Sequence, residues 1–250
     1  MNSFLNTKDN LLYFYYMEKN TYNIVILLFL SGLILFTGCD ELNPPEEYSS
    51  ILLIATTPCQ GITSISYSGQ TYNTVETAYQ CWLKENLNVG TRINGSVNPS
   101  NNGTIEKYCY NNNEANCATY GGLYDWNEAM AYSTTPRAQG ICPVGWHIPT
   151  YDEFIILLDA VGHDGNKLKR EDQGTGNGVG TNTSGFSALL AGSRNYNGIF
   201  DHLGYYTFFW SSTEGYATNV YNLYLWFNDS DVYMANYSKD HGYSIRCLKD

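Results

Sequence analysis

The chain has little charge, and least of all positive charge. Charged residues make up 15% of its 250 positions, with 13 Lys and Arg against 24 Asp and Glu, a formal balance of −11. A surface of that sign presents no basic footprint to nucleic acid and is repelled by anionic surfaces. It suits cations or neutral sugars, and it serves solubility equally well. Metal and nucleotide motifs are missing too. No two cysteines stand in C-x2-C spacing and His147 has no companion ligand nearby, which argues against zinc. Gly174 to Gly185 is dense in Gly, Asn and Thr but lacks the G-x-x-x-x-G-K-[ST] phosphate cradle, and it reads as a long flexible loop. No serine lies in a G-x-S-x-G setting, and His163, His202 and His241 are isolated. Asp152 and Glu153 are explained by a helix start, so no catalytic residue is assigned.

Long apolar runs are also scarce. Ile24 to Phe36 is too short to span a bilayer comfortably and is followed by Thr37-Gly38-Cys39. An apolar core with small residues before a cut is the layout of a secretory signal. The cysteine directly after them resembles a bacterial lipobox, whose cysteine becomes lipidated and forms the new amino terminus. Residues 1–16 contain Asp9 and no good basic start, whereas Met17-Glu18-Lys19 begins a compact one, so translation is expected to start at Met17. On this reading residues 1–38 are removed and Cys39 carries the lipid. The membrane is then a partner through that anchor, and the domain lies outside the cytoplasm, at the outer membrane or cell surface. An uncleaved membrane anchor is the alternative. Residues 39–57 form a polar, partly stiff tether, with Asp40-Glu41 and Glu46-Glu47 flanking Pro44-Pro45. Acidic residues behind a lipidated cysteine resemble the surface-export signals of Bacteroidetes lipoproteins. Losing residues 1–38 removes Lys8, Lys19, Asp9 and Glu18, which leaves the balance at −11.

Seven cysteines are an odd count, and a lipidated Cys39 resolves it. Cys59, Cys81, Cys109, Cys117, Cys142 and Cys247 remain, an even set for disulfides in an oxidising compartment. Counting alone leaves their connectivity open. Cys109 and Cys117 bracket a short polar loop and are the first choice. Cys142 with Cys247 would tie the central helix to the terminal strand, leaving Cys59 with Cys81.

From residue 58 the composition turns to Tyr, Asn, Gly, Ser and Thr. Ile62 to Val75 alternates around Gly69 and predicts two short strands, with Ile65, Tyr67, Tyr72 and Val75 facing inward. Thr150 and Glu153 form a capping box. Phe154, Ile155, Leu157, Leu158 and Val161 then share one helical face, and Gly162 closes the helix. A second helix is expected near Asp125–Tyr132, with Asp125 as N-cap and Glu128 as its box partner. Lys167 to Asp172 reads as a solvated charged edge. Strands are expected at Phe186–Ala191, Tyr206–Ser212, Tyr221–Phe227, Val232–Ala235 and Tyr243–Leu248, joined as antiparallel hairpins. Two short helices with mostly antiparallel strands and long loops make an α+β fold in one domain, residues 58–250.

Several motifs then carry a resemblance. They are Gln80-Cys81-Trp82-Leu83-Lys84-Glu85-Asn86-Leu87-Asn88, Tyr120-Gly121-Gly122-Leu123-Tyr124-Asp125-Trp126 and Cys142-Pro143-x-Gly145-Trp146-His147-x-Pro149-Thr150. Gly185-Phe186-Ser187-Ala188-Leu189-Leu190-Ala191-Gly192-x-Arg194, Phe209-Trp210-Ser211-Ser212-Thr213 and Gly242-Tyr243-Ser244-Ile245-Arg246-Cys247 follow in order. Over roughly Ile62 to Asp250 the chain resembles the Fibrobacter succinogenes major paralogous domain, common in secreted and lipid-anchored proteins. The layout of that family is similar to the C-type-lectin-like fold. This implies a bridge from the first half to the last strand, as between Cys142 and Cys247, and ligand contacts in the long loops over residues 163–185 or 193–205. The formylglycine-generating enzyme is a distant relative of this general fold, but its chemistry needs two neighbouring late cysteines, and Cys247 stands alone.

Two ligand chemistries are therefore in view. Asn228, Asp229 and Asp231 could supply oxygens to calcium, although Phe227 interrupts the likeness to the Trp-Asn-Asp motif of sugar-binding lectins. A plain hairpin turn of Asn and Asp is the favoured reading, so no cofactor is required. Aromatic rings are the second lead, with 23 tyrosines and 5 tryptophans. Trp82, Trp126, Trp146 and Trp210 sit in the motifs and are expected in the core, whereas Tyr196, Tyr205, Tyr216 and Tyr237 in turns are the ligand candidates. The expected function is a non-catalytic binding module on a cell-surface lipoprotein, for carbohydrate or another surface macromolecule. A structural or adhesive protein making contacts through its loops is the first alternative, and an accessory or degenerate enzyme the second.

Overall fold

The computed structural model of the chain describes residues 57–250 and, between residues 6 and 37, the backbone of several strands. Cys39 and all of the expected tether except Thr57 lie outside the described residues. The chain divides into two units, Met1–Leu53 and Ile54–Asp250. In the first, Tyr13–Lys19, Tyr22–Phe29 and Gly32–Thr37 pair as an antiparallel meander, within the stretch expected to be a signal segment. Among the described residues no helix is long and apolar enough to cross a membrane.

The second unit opens with β1 (Ser64–Tyr67), β2 (Gln70–Thr77) and β3 (Gln80–Leu83), joined by two-residue turns. Ser68 and Gly69 turn the first at φ 49° and 77°, and Ala78 and Tyr79 the second at 56° and 57°. Two positive φ values in succession match the twist of the flanking strands. β4 (Thr91–Arg92) and β5 (Glu106–Lys107) make a minimal parallel pair. α1 (Glu114–Tyr120), α2 (Trp126–Ala129), β6 (Trp146–His147) and α3 (Tyr151–Ala160) follow. The last third holds β7 (Ala191–Arg194), β8 (Phe200–Leu203), β9 (Tyr206–Tyr216), β10 (Asn219–Trp226), β11 (Val232–Ser238) and β12 (Leu248–Lys249). They complete two five-stranded sheets, ordered β6-β12-β3-β2-β1 and β8-β7-β9-β10-β11. Pairing in both is antiparallel except between β7 and β9, so the unit is α+β and mostly antiparallel.

α3 is the packing centre. Thr150 Oγ1 accepts from Glu153 N, and the Glu153 carboxylate accepts from Thr150 N, so both expected halves of the box are present. The helix then buries Phe154, Leu157 and Leu158 against Trp82 of β3 and against Phe209, Leu223, Leu225 and Val232 of the second sheet. Trp82 stacks on Phe154 at 5.5 Å and meets the edge of Phe186 at the same distance. Burying a side chain such as Phe154 contributes about 1.5–3 kcal/mol. A second cluster gathers Trp126, Trp146, Trp210 and Tyr243. Within it Trp126 Nε1 donates to Ser211 O and Trp210 Nε1 donates to Tyr124 O, at 2.8 and 2.9 Å. The four motif tryptophans are all core. Disulfides join Cys59 to Cys81, Cys109 to Cys117 and Cys142 to Cys247.

Several expectations need correction. The unit has three α-helices rather than two, because α1 occupies the stretch read as a polar loop. Asn113 caps it by accepting from Ala115 N, and the Cys109–Cys117 bridge holds it. α2 stops at Ala129 because Ala131 and Tyr132 take φ 48° and 61°. Asp125 caps it as expected, but Glu128 returns no bond to the cap and accepts instead from Glu106 N and Tyr132 Oη. Residues 186–190 form no strand, since Gly185 and Ser187 are at φ 74° and 58°; β7 begins only at Ala191. Beyond it β8 adds a strand that alternation did not reveal. Residues 243–247 form no ladder either, because they bond to both sheets by turns. Trp210 N donates to Ser244 O, Leu87 N to Ile245 O and Leu83 N to Cys247 O.

Candidate functional site

β9, β10 and β11 alternate, and both of their faces are apolar. The inner face, with Phe209, Leu223, Leu225 and Val232, packs on α3. The outer face is almost wholly aromatic. Tyr206 pairs with Trp226, and Phe208 with Tyr224, which pairs in turn with Tyr233. Tyr206 and Trp226 are nearly parallel at 5.6 Å, and Tyr224 and Tyr233 at 4.8 Å. One end of this face is closed: Phe208 stacks on Tyr243 at 4.5 Å, and Tyr243 on Trp210 at 4.4 Å. The other end opens as a cleft of about 390 Å³ lined by His202, Tyr206, Phe208, Tyr224, Trp226, Tyr233 and Tyr237.

No carboxylate, ammonium or guanidinium stands in that lining. Its polarity comes from phenol hydroxyls and one imidazole. Burial pushes the Tyr224 phenol up, with Tyr237 and Tyr206 adding to it. Tyr233 is held at about 12 chiefly because its hydroxyl donates to Asp229 Oδ2 at 2.8 Å. The cleft is thus an aromatic slot edged by phenol hydroxyls.

The four tyrosines expected as ligand contacts are all exposed, and the structure distributes them unequally. Tyr237 lines the cleft, but it lies in β11 rather than in a turn. His241 lies 6.1 Å from Tyr237 and 6.0 Å from Tyr196 between ring centroids, which continues the aromatic surface to Tyr196 on the β7–β8 loop. Tyr205 packs edge-on against Phe227 at 4.8 Å, outside the cleft. Tyr216 ends β9, again not in a turn, and is 75% exposed. The lining residues missed from sequence are His202 and the aromatics Tyr206, Phe208, Tyr224, Trp226 and Tyr233. For those aromatics the signal was a ring at every second position, out of phase with Leu223, Leu225 and Val232.

The Asn228–Asp231 stretch is a turn with its own internal bonds. Asp229 Oδ1 accepts from Asp231 N at 3.0 Å, and this with the Tyr233 bond lowers its pKa. Lys169, expected on a solvated edge, is fully buried here. Its Nζ donates to Trp226 O at 2.8 Å and Asp229 O at 2.7 Å. The ammonium thus holds two backbone carbonyls of the β10–β11 turn. Gly178 makes the close approach of the 174–185 loop possible, since a Cβ there would lie 2.3 Å from Phe227 O. That loop is packed onto the turn rather than free.

His147 is buried between two carboxylates, with Nδ1 at 2.6 Å from Asp250 and Nε2 at 3.0 Å from Glu153. Both ring nitrogens are thus engaged by carboxylates. Burial alone would raise the Glu153 pKa, but His147, the Thr150 N–H and Arg137 together hold it below the usual value. Among the described residues no group of three or more His, Cys, Asp or Glu is placed to hold a metal ion.

A family model described as the Fibrobacter succinogenes major domain matches residues 75–249. No curated protein and no solved structure matches the chain.

Proposed function

The chain belongs to the Fibrobacter succinogenes major domain family, and from that premise we propose that it is a non-catalytic binding module of C-type-lectin-like architecture whose ligand is a neutral carbohydrate. One observation carries the reading: a cleft on the outer face of the second sheet is lined by seven aromatic side chains and no carboxylate, ammonium or guanidinium. Sugar C–H groups carry slight positive charge and fit the electron-rich faces of aromatic rings. The hydroxyls of Tyr206, Tyr224 and Tyr237, with the Tyr233 oxygen as an acceptor only, orient a ligand as the few polar groups of an apolar pocket do. The module is held at the cell surface by lipid on Cys39. Calcium has no part in this reading, because Lys169 already supplies a cation at the turn.

The test is a glycan array read with and without chelator, followed by titration of any hit. Trp226→Ala should weaken binding at least tenfold, about 1.4 kcal/mol, and chelator should change nothing. An empty array, or unchanged affinity in Trp226→Ala, sinks the reading. A protein-adhesion role has one favouring observation, the exposed Val97, Tyr196 and Ile199 on loops that meet where Gly95 approaches Gly198. Turnover of any glycan or ester that is lost in His147→Ala would replace both with an enzyme.

A further inference from the structure

A second and larger cleft, about 440 Å³, shares no lining residue with the aromatic one. It lies between β2, the chain leaving β3, the C-terminal half of α1 and parts of the segment 170–189. Its wall carries Lys84, Arg170 and Arg246 but one carboxylate, Glu85, an excess opposite in sign to the chain's balance of −11. Glu85 is already engaged: Oε2 accepts from Asn73 N at 2.7 Å and Oε1 from Asn73 Nδ2 at 2.8 Å. Arg170 is paired with Asp172. Among the described residues Lys84 and Arg246 have no carboxylate partner within ion-pair distance.

Arg246 is the unusual member. It is 1% exposed, and every acceptor it has is neutral. Nε and Nη2 donate to Asn86 Oδ1 at 3.2 and 2.8 Å, and Nη1 donates to Leu83 O and Phe186 O at 3.2 and 2.6 Å. A guanidinium has five N–H groups, so one on Nη2 is left without a protein acceptor among the described residues. A buried cation without a counter-charge in direct contact is costly; burial pulls this group down from 12.5 to about 9, and the charge of Glu85 opposes that only in part. The carbonyls at the end of α1 do not supply that counter-charge. Cys117 O is taken by Gly121 N and Tyr120 O by Asn86 Nδ2, each at 2.9 Å. Amides and hydroxyls of Asn88, Asn182 and Ser187 complete the wall.

We propose that this cleft is an oxyanion site for a carboxylate or sulfate group, with Arg246 as its fixed cation and Lys84 as its mobile one. The site is separate from the neutral-sugar cleft and does not depend on it. Its source is either a free ion or the acidic group of an anionic glycan, and the two arms of the test separate them.

Amide shifts of the full chain are followed by NMR during titration with sodium sulfate at constant ionic strength set with chloride. Shifts at residues 84–88, 182–187 and 246 should saturate, and Lys84→Gln should need at least tenfold more sulfate. Trp226→Ala should keep the wild-type curve, so failure of the sugar reading leaves this result untouched. A sulfated or uronate-bearing oligosaccharide that binds tenfold tighter than inorganic sulfate at the same residues identifies a glycan, and equal or weaker binding identifies the free ion. Shifts that never saturate, or an unchanged curve in Lys84→Gln, overturn the proposal.

Discussion

Lys169 shows how far one buried charge can shape this surface. Its ammonium closes the β10–β11 turn through the carbonyls of Trp226 and Asp229, and Trp226 lines the aromatic cleft. Burial drives its pKa from 10.5 to about 8, against the smaller pull of Asp229 and Asp164. Between those values the unfolded chain binds more protons than the fold, so stability rises with pH across the window. Below pH 8 the fold carries the full cost of the buried charge. Denaturant midpoints measured from pH 7.5 to 9, where a tyrosine of ordinary pKa is still about nine-tenths protonated, should rise in the wild type. Lys169→Met should flatten that rise while changing stability by only about 1–3 kcal/mol, since two lost donors are offset by one removed charge. Equal slopes in the two proteins would refute this. Nothing in Lys167 to Asp172 signals burial, because the two acceptors stand 57 and 60 positions away.

Among the elements, legibility follows whether the determinants are contiguous. α3 could be read because its cap, its box and its apolar face all fall within one stretch. α1 could not, because nothing in Glu114–Tyr120 alternates strongly and its support is a cap with a disulfide. The outer aromatic face was harder still. β9, β10 and β11 are apolar on both sides, and only the docking of α3 decides which side is left open. α2 offers a test of the capping argument. Burial is the main reason that Asp125 is raised from 3.8 to about 7, although its cap bond to Glu128 N opposes the shift. A carboxyl raised in the fold contributes stability that is present at low pH and lost as pH climbs through its folded value. Stability attributable to Asp125 should therefore decline between about pH 4 and 7. Asp125→Asn keeps an acceptor for the cap, and urea midpoints across that range should lose this decline. A variant that unfolds at all pH values, or keeps the full slope, would show that the cap and not the charge matters.

At the scale of the whole unit, the closing segment decides how the two sheets are held together. Residues 243–247 bond alternately to the second sheet through Trp210 and to the chain around β3 through Leu83 and Leu87. Cys247 fixes this segment to Cys142 across a sequence separation of 105, whereas Cys109–Cys117 spans only 8. In the chain-entropy account a loop of about 100 residues is worth about 4.7 kcal/mol, and a loop near ten residues about 2.6. Replacing both cysteines of the long bridge with alanine should therefore cost more than the same change in the short one, by about 2 kcal/mol in urea unfolding. The difference should also be local. Hydrogen exchange should speed at Tyr243–Leu248 and in β3 when the long bridge is absent, and at α1 when the short one is. Equal losses would mean that the inter-sheet bonds hold the closing segment unaided. Free thiols in the oxidised protein would remove the premise itself. The predicted asymmetry follows from where the bridges sit: one restrains a single helix, while the other restrains a segment that bonds to both sheets in turn.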